Sequence, residues 1–132
     1  MNNIEIVIQV LKSAREKISD PEKWIKKGTV DHKNKAYCAS AALIYAVDEF
    51  YRDNPKQAWR GNEPLYTAYD ELAYTIMPYG TFRTYQSLSV IISYNDVWYR
   101  LHEGVLSKFD QTIARLTREE LKSKAMAVSI CG

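Results

Sequence analysis

The amino-acid sequence predicts an all-α fold: one compact domain over residues 1–132, with five to seven helices around a buried central helix at about residues 36–52. Three observations support this prediction. Apolar residues recur at helical spacing in several segments. Proline lies between those segments rather than inside them. Within the central segment, residues 37–47 are apolar on every side over about three turns, which is typical of a helix that other helices cover. The second half of this helix is predicted to be amphipathic, with Asp48, Glu49 and Arg52 in water.

The first two helices are predicted within the opening basic part of the chain. A turn after Asp20 starts the second, short helix, because the Asp20 carboxylate can accept hydrogen bonds from free backbone amides and Pro21 suits the first helical position. This helix should carry Trp24 inward and end near Gly28, and the polar residues 29–35 are predicted to form a loop. The stripe that defines the first helix consists of Ile4, Val7, Ile8, Leu11, Ala14 and Ile18.

The central helix, residues 36–52, is rich in small side chains that let neighbouring backbones come close. Pro55 ends this helix, and Pro64 starts the next one, which Pro78 closes. The small residues are Ala39, Ser40, Ala41, Ala42 and Ala46.

Residues 81–92 fit either a helix or a strand. Their β-branched content between 87 and 92 suits a strand, but a lone strand would leave its backbone groups unpaired. We therefore predict a helix here. Its helical spacing is carried by Phe82, Tyr85, Leu88 and Ile92.

The end of the chain is predicted to contain two further helices. Asn95 and Asp96 are good capping residues, and from them a helix over 97–116 should pack along the central helix. The pattern Thr117-Arg118-Glu119-Glu120 matches a capping box and predicts a separate helix over 118–127. The tail, residues 128–132, should fray.

Composition excludes several classes of protein. The sequence has two cysteines, Cys38 and Cys131. Two are too few for a disulfide-dense scaffold or for a four-cysteine zinc site. The sequence contains no metal-binding histidine motif and no glycine-rich phosphate loop, so we expect no cofactor and no metal. No stretch is long enough to cross a bilayer and the first residues lack a signal-peptide pattern, so we expect a cytoplasmic protein with no membrane partner.

Charge gives only a weak indication of nucleic-acid binding. The formal net charge is +2, although the first quarter of the chain is basic and the middle is acidic. Such blocks are most often solvated faces, and nucleic-acid binding is therefore our third hypothesis. The basic residues are Lys12, Arg15, Lys17, Lys23, Lys26, Lys27, Lys33 and Lys35.

Two residues are candidates for catalysis, Cys38 and His102. A helix N-terminus lowers the pKa of a thiol, whereas the apolar surroundings of Cys38 raise it. A buried cysteine is also an ordinary small apolar residue. His102 could act as a base for Cys38 if their helices pack together, but a histidine beside a core stripe is more often a hydrogen-bonded structural residue.

Two further groups of residues are candidates for binding. Asn95 and Asp96 have the simple interpretation of a helix cap, and the functional interpretation of ligands in a cleft near Trp24 and Cys38. Aromatic side chains next to a cation predict an interaction surface at Tyr79, Phe82, Arg83 and Tyr85. The same residues would also suit an ordinary helix face.

Four short stretches follow the opening helix in a fixed order: Asp20-Pro21-Glu22-Lys23-Trp24, Tyr37-Cys38-Ala39-Ser40-Ala41-Ala42-Leu43, Tyr94-Asn95-Asp96, and His102-Glu103-Gly104-Val105-Leu106-Ser107-Lys108-Phe109-Asp110. In them the chain resembles an uncharacterised family of small bacterial and phage domains. Ala41 stands where that family usually has glycine, and Tyr37 and Tyr94 stand where it has tryptophan. The resemblance implies a bacterial or phage source and supplies no catalytic residues.

The leading functional hypothesis is a small protein-interaction module, such as a phage or mobile-element accessory protein that binds a host protein. It rests on the absence of a complete catalytic motif and on the ten tyrosines and three tryptophans. An exposed aromatic patch would also favour a homodimer. The alternative is an enzyme or small-ligand binder that uses Cys38, His102, Asn95 and Asp96.

Overall fold

The computed structural model describes the backbone of residues 1–79, 84–97 and 100–131, and the side chains of residues 1–79, 86–97 and 100–128. This part of the chain confirms the all-α class, with five helices, one 3-10 turn and one small hairpin. In chain order the elements are α1 (Asn3–Lys17), the 3-10 turn (Pro21–Lys23), β1 (Val30–Asp31), β2 (Ala36–Tyr37), α2 (Ala39–Asp53), α3 (Glu63–Ile76), α4 (Thr84–Asp96) and α5 (His102–Cys131).

Helix α1 forms from the predicted apolar stripe and packs against α2, α3 and α5. The Asn2 side chain caps it by accepting a hydrogen bond of 2.9 Å from the Glu5 amide. Because α1 has neighbours on three sides, its stripe is buried except for Ile4, which is partly exposed. Its buried residues are Ile6, Val7, Ile8, Val10, Leu11 and Ala14.

The segment between α1 and α2 differs from the prediction. The helical turn after Asp20 ends at Lys23 rather than near Gly28, because the chain then becomes extended and the Ile25 amide donates to the Tyr37 carbonyl. The predicted loop at 29–35 contains β1, which pairs antiparallel with β2.

Helix α2 starts three residues later than predicted, because residues 36–37 belong to β2 and Cys38 is the N-cap. Its small residues Ala39, Ala42 and Ala46 are buried, and α2 packs against α1, α3 and α4. The expectation that α2 is covered on every side is wrong for its outer face. There Ile44 is 47% exposed, whereas the exposure of Asp48 agrees with the predicted amphipathic second half of the helix.

Helix α4 shows that 84–92 is helical, as predicted, while residues 81–83 lie outside the described part of the chain. Ser87 and Ile91 are buried against neighbouring helices. The cap interpretation of Asn95 and Asp96 is wrong: both are the last residues of α4, and the next helix begins only at His102.

Helix α5 is one continuous helix, so the predicted break at Thr117 is wrong. The Thr117 hydroxyl donates to the Ile113 carbonyl one turn earlier instead of capping a new helix. The helix also continues to Cys131, through the tail that was expected to fray. It packs against α1 and α3 rather than along α2.

The packed part of α5 ends at Leu116, which has no exposed surface. Every side chain from 121 to 128 is exposed. Glu120 and Lys124 still contact Asn2 and Glu5 at the start of α1, so only the turns after Lys124 extend beyond the body of the domain. Among the helices of the described residues, none is both long and apolar enough to cross a lipid bilayer.

Two leucines on α5 test where the core ends. Leu116→Ala should lower the free energy of unfolding by about 2–5 kcal/mol, because it leaves a cavity among packed helices. Leu121→Ala, at a position 63% exposed, should change it by less than about 0.5 kcal/mol. Urea denaturation followed by circular dichroism measures both. Equal losses would place Leu121 in the core.

Candidate functional site

Asn95 is the centre of a buried polar network that joins three segments of the chain. It is 1% exposed. Its Oδ1 accepts hydrogen bonds from Trp24 Nε1 at 2.7 Å and from the Ala39 amide at 3.1 Å. Its Nδ2 donates to the Ile25 carbonyl at 3.0 Å and to Asp96 Oδ1 at 2.8 Å. These four bonds use the full capacity of a side-chain amide.

Asp96 extends this network to the chain after Trp24. Its Oδ1 accepts a hydrogen bond of 3.0 Å from the Lys27 amide. Lys27 has a φ of 59°, a left-handed conformation that costs free energy for a residue with a side chain. The bond to Asp96 helps to hold it there. We call Trp24, Ile25, Lys27, Ala39, Asn95 and Asp96 the Asn95 network.

Cys38 is buried at the N-cap of α2 and is bonded within its own turn. Its Sγ accepts a hydrogen bond of 3.5 Å from the Ala41 amide and lies 3.2 Å from Ser40 Oγ. The sulfur therefore fills the place that a serine or aspartate oxygen usually occupies at a helix start. This contact gives the thiol a structural role.

His102, the first residue of α5, is bonded to a different segment. Its Nε2 lies 2.5 Å from the Ile18 carbonyl, which can only accept, so this nitrogen carries the proton. The ring centroid is 5.6 Å from that of Trp24. Within the described residues no hydrogen bond joins His102 to Cys38, and each is bonded to its own backbone partner. The geometry does not show an activated nucleophile.

The predicted interaction surface is only partly described. Tyr79 is 100% exposed. Phe82 and Arg83 lie outside the described residues, as does the side chain of Tyr85. Two other large side chains near the end of α3, Tyr74 and Met77, are also about half exposed.

A groove lies beside these residues, between the end of α3 and the middle of α5. Its volume is about 370 Å³. The cationic wall of the groove could not be predicted from the sequence, because no local pattern indicates that α3 and α5 meet there. The groove is lined by Tyr74, Thr75, Pro78, Gln111, Ala114, Arg115 and Arg118.

The two arginines of the groove differ in their partners. Arg115 Nη1 lies 2.6 Å from Glu71 Oε2, and its guanidinium sits 4.8 Å from the centre of the Tyr74 ring. These contacts fix both side chains. Arg118 is exposed, and within the described part of the chain it makes no ion pair. The groove therefore offers a fixed aromatic wall and an available cation.

The basic first quarter of the chain is partly neutralised in the fold. Arg15 Nε lies 2.9 Å from Asp110 Oδ1, and Lys17 forms an ion pair with Glu49. In the described ranges, no group of three or more histidine, cysteine, aspartate or glutamate residues could hold a metal ion.

These features define a small helical domain whose buried polar centre is internally satisfied and whose aromatic groove is open. A protein-family model described as "Family of unknown function (DUF6197)" matches residues 4–115 of the sequence, and the chain belongs to this family. The match confirms the resemblance to an uncharacterised family of small domains. It covers the Asn95 network and ends at Arg115, inside the groove. No curated protein matches the chain, and no solved structure does.

The Asn95 network can be tested by replacing the amide with an apolar side chain of similar size. Asn95→Leu leaves the Trp24 Nε1–H, the Ala39 amide and the Ile25 carbonyl without this partner. The free energy of unfolding should fall by about 2–5 kcal/mol. Gln9→Leu, the same kind of change at an exposed position of α1, is the matched control and should change it by less than about 0.5 kcal/mol. A small effect at both positions would contradict the assignment. Urea denaturation is the measurement.

Tyr69 should make stability depend on pH in the alkaline range. Burial raises the pKa of Tyr69 from 10.0 to about 12, and the neighbouring Cys38 adds to this effect. Between those two values the unfolded chain loses the phenol proton while the folded protein retains it. The contribution of Tyr69 to stability is thus complete below pH 10 and falls as the pH rises toward 12.

The comparison of Tyr69→Phe with the wild-type protein isolates this contribution. The variant should lose less stability between pH 9 and about 12 than the wild type does, in thermal melts followed by circular dichroism. Tyr79→Phe removes the hydroxyl of a fully exposed ring and should follow the wild-type curve. Parallel curves for wild type and Tyr69→Phe would show that burial does not perturb this phenol.

Proposed function

We propose that this protein is a small protein-interaction module whose partner binds at the α3–α5 surface, formed by Tyr74, Met77, Pro78, Tyr79, Arg115 and Arg118. The observation that carries the proposal is the exposure of Tyr74, Met77 and Tyr79 beside an open groove. Exposed apolar side chains in one place mark interaction sites on soluble domains. Tyrosine, methionine and arginine are also the residue types enriched at protein interfaces.

The fixed geometry of the groove supports a role in binding. Arg115 is held by Glu71 and in turn covers the ring of Tyr74. A partner that packs on this ring therefore orders few additional side chains, which lowers the entropic cost of association. Tyrosine and arginine residues of this kind commonly contribute most of the binding free energy.

The Asn95 network supports the same proposal by contrast. All four hydrogen-bonding positions of Asn95 are occupied by the protein itself. A small ligand at Trp24, Asn95 and Asp96 would have to break these bonds. The α3–α5 surface can bind without such a cost. Because the chain resembles small bacterial and phage domains, we take a bacterial host protein of the cytoplasm as the partner.

Affinity capture with matched variants tests this function. Tagged protein in a nuclease-treated bacterial lysate should retain one stoichiometric partner. The double variant Tyr74→Ala/Tyr79→Ala should reduce retention at least about tenfold, since two interface tyrosines are removed. The control is Trp59→Ala: Trp59 is just as clearly exposed but precedes α3, at the opposite end of that helix.

Each outcome of the capture has a defined meaning. Circular dichroism melts establish that all variants are folded. Loss of the partner in the double variant but not in Trp59→Ala supports the proposal. Equal retention by all three proteins, or capture of no partner by the wild type, contradicts it.

A further inference from the structure

After Leu116 the apolar residues of α5 lie on a different face of the helix. Up to that point its buried residues repeat every three or four positions and face the body of the domain. Four and eight positions after Leu116, the same face carries Glu120 and Lys124. The next apolar residue, Leu121, is five positions on and lies about 140° around the helix. The buried residues of the first half are Val105, Phe109, Thr112 and Leu116.

A line of exposed residues runs from the groove along the second half of α5, and all but one of them are apolar. We call this line the outer stripe: Ala114, Arg118, Leu121, Ala125 and Val128. Their spacing of four and three residues places them on one face of a helix. Ala114 and Arg118 also line the groove. The groove and the outer stripe are therefore one continuous surface, about 21 Å long by helix geometry.

Positive charge lies along this stripe, and the nearby carboxylates already have partners within the protein. Arg118 and Lys122 are exposed and form no ion pair with any described residue. Glu120 Oε1 accepts a hydrogen bond from Asn2, and Glu119 lies 3.8 Å from Arg115. The outer stripe thus combines apolar anchors with uncompensated cations on one side.

We propose that the occupant of this surface is an amphipathic helix of the partner protein, with an apolar stripe flanked by glutamate or aspartate side chains that face Arg118 and Lys122. Such a helix-in-groove mode uses apolar anchors at i, i+4 and i+7, and the flanking carboxylates complement the cations. This inference rests on the proposed function, because the groove belongs to the α3–α5 surface.

An acidic helix meets Arg118 and Lys122 favourably, because its carboxylates would pair with cations that form no ion pair within the described residues. A second copy of the chain would instead bring a second set of the same cations to this surface.

Two designed peptides of about 18 residues, long enough to be helical in water, provide the probe. Both carry leucine at i, i+4, i+7 and i+11 on an alanine background; one has glutamate and the other lysine beside the leucine stripe. Fluorescence anisotropy should show the glutamate peptide binding the full chain at least about tenfold more tightly. Amide chemical-shift changes on binding should concentrate at residues 111–128.

Charge reversal on the protein distinguishes binding at this site from nonspecific electrostatic attraction of the peptide to the whole protein. Arg118→Glu/Lys122→Glu should invert the preference toward the lysine peptide. The control variant Lys12→Glu/Lys56→Glu changes the net charge equally at two exposed positions away from the stripe, and should retain the glutamate preference. Equal affinity for both peptides, or a preference that Arg118→Glu/Lys122→Glu leaves unchanged, overturns the inference. A concentration-dependent dimer with shifts at 111–128 overturns it in favour of a second copy.

The failure of this inference is distinguishable from the failure of the proposed function. If capture of the lysate partner depends on Tyr74 and Tyr79 but the wild-type protein binds both peptides with equal affinity, the inference is wrong and the interaction function stands. If the peptide preference inverts as expected but no captured protein depends on the tyrosines, the acidic-helix site stands and the proposed function is wrong.

Discussion

The four hydrogen bonds of Asn95 are the constraint on which the arrangement of this domain depends. They tie the end of α4 to the start of α2 and to the extended chain after the 3-10 turn. The small hairpin and the first turn of α5 lie around the same point, because Tyr37 pairs with Trp24 and His102 contacts its ring. An unpaired amide at this depth costs several kcal/mol, so the segments are held in one arrangement.

The residues with reactive side chains serve this architecture. Cys38 closes the first turn of α2, and His102 ties the start of α5 to the end of α1. Both had been candidates for catalysis on grounds of residue type. Their hydrogen bonds instead stabilise the start of α2 and hold α5 against the end of α1, and the surface that we propose for binding lies elsewhere, between α3 and α5.

Prediction from the sequence was most successful where the signal is local. The stripe of α1 and the proline that starts α3 predicted those helices because periodicity and capping act within a few residues. The role of Asn95 depends on Trp24 and Ala39, which are distant in the chain, so a cap was the best local interpretation. At Thr117 a local capping pattern was overridden, because a continuing helix already bonds those amides. The groove needed the contact of α3 with α5, which no local pattern indicates.

The continuity of α5 has a consequence for how its exposed half stays ordered. Starting a helix is unfavourable, whereas adding a residue to an existing one is not. Residues 121–131 alone would be too short to form a stable helix in water. Here the packed turns up to Leu116 act as a permanent nucleus from which the exposed turns propagate. A ligand that binds to those turns therefore binds a helix that the core has already nucleated. Hydrogen exchange of the amides in those turns reports such binding more sensitively than global unfolding does.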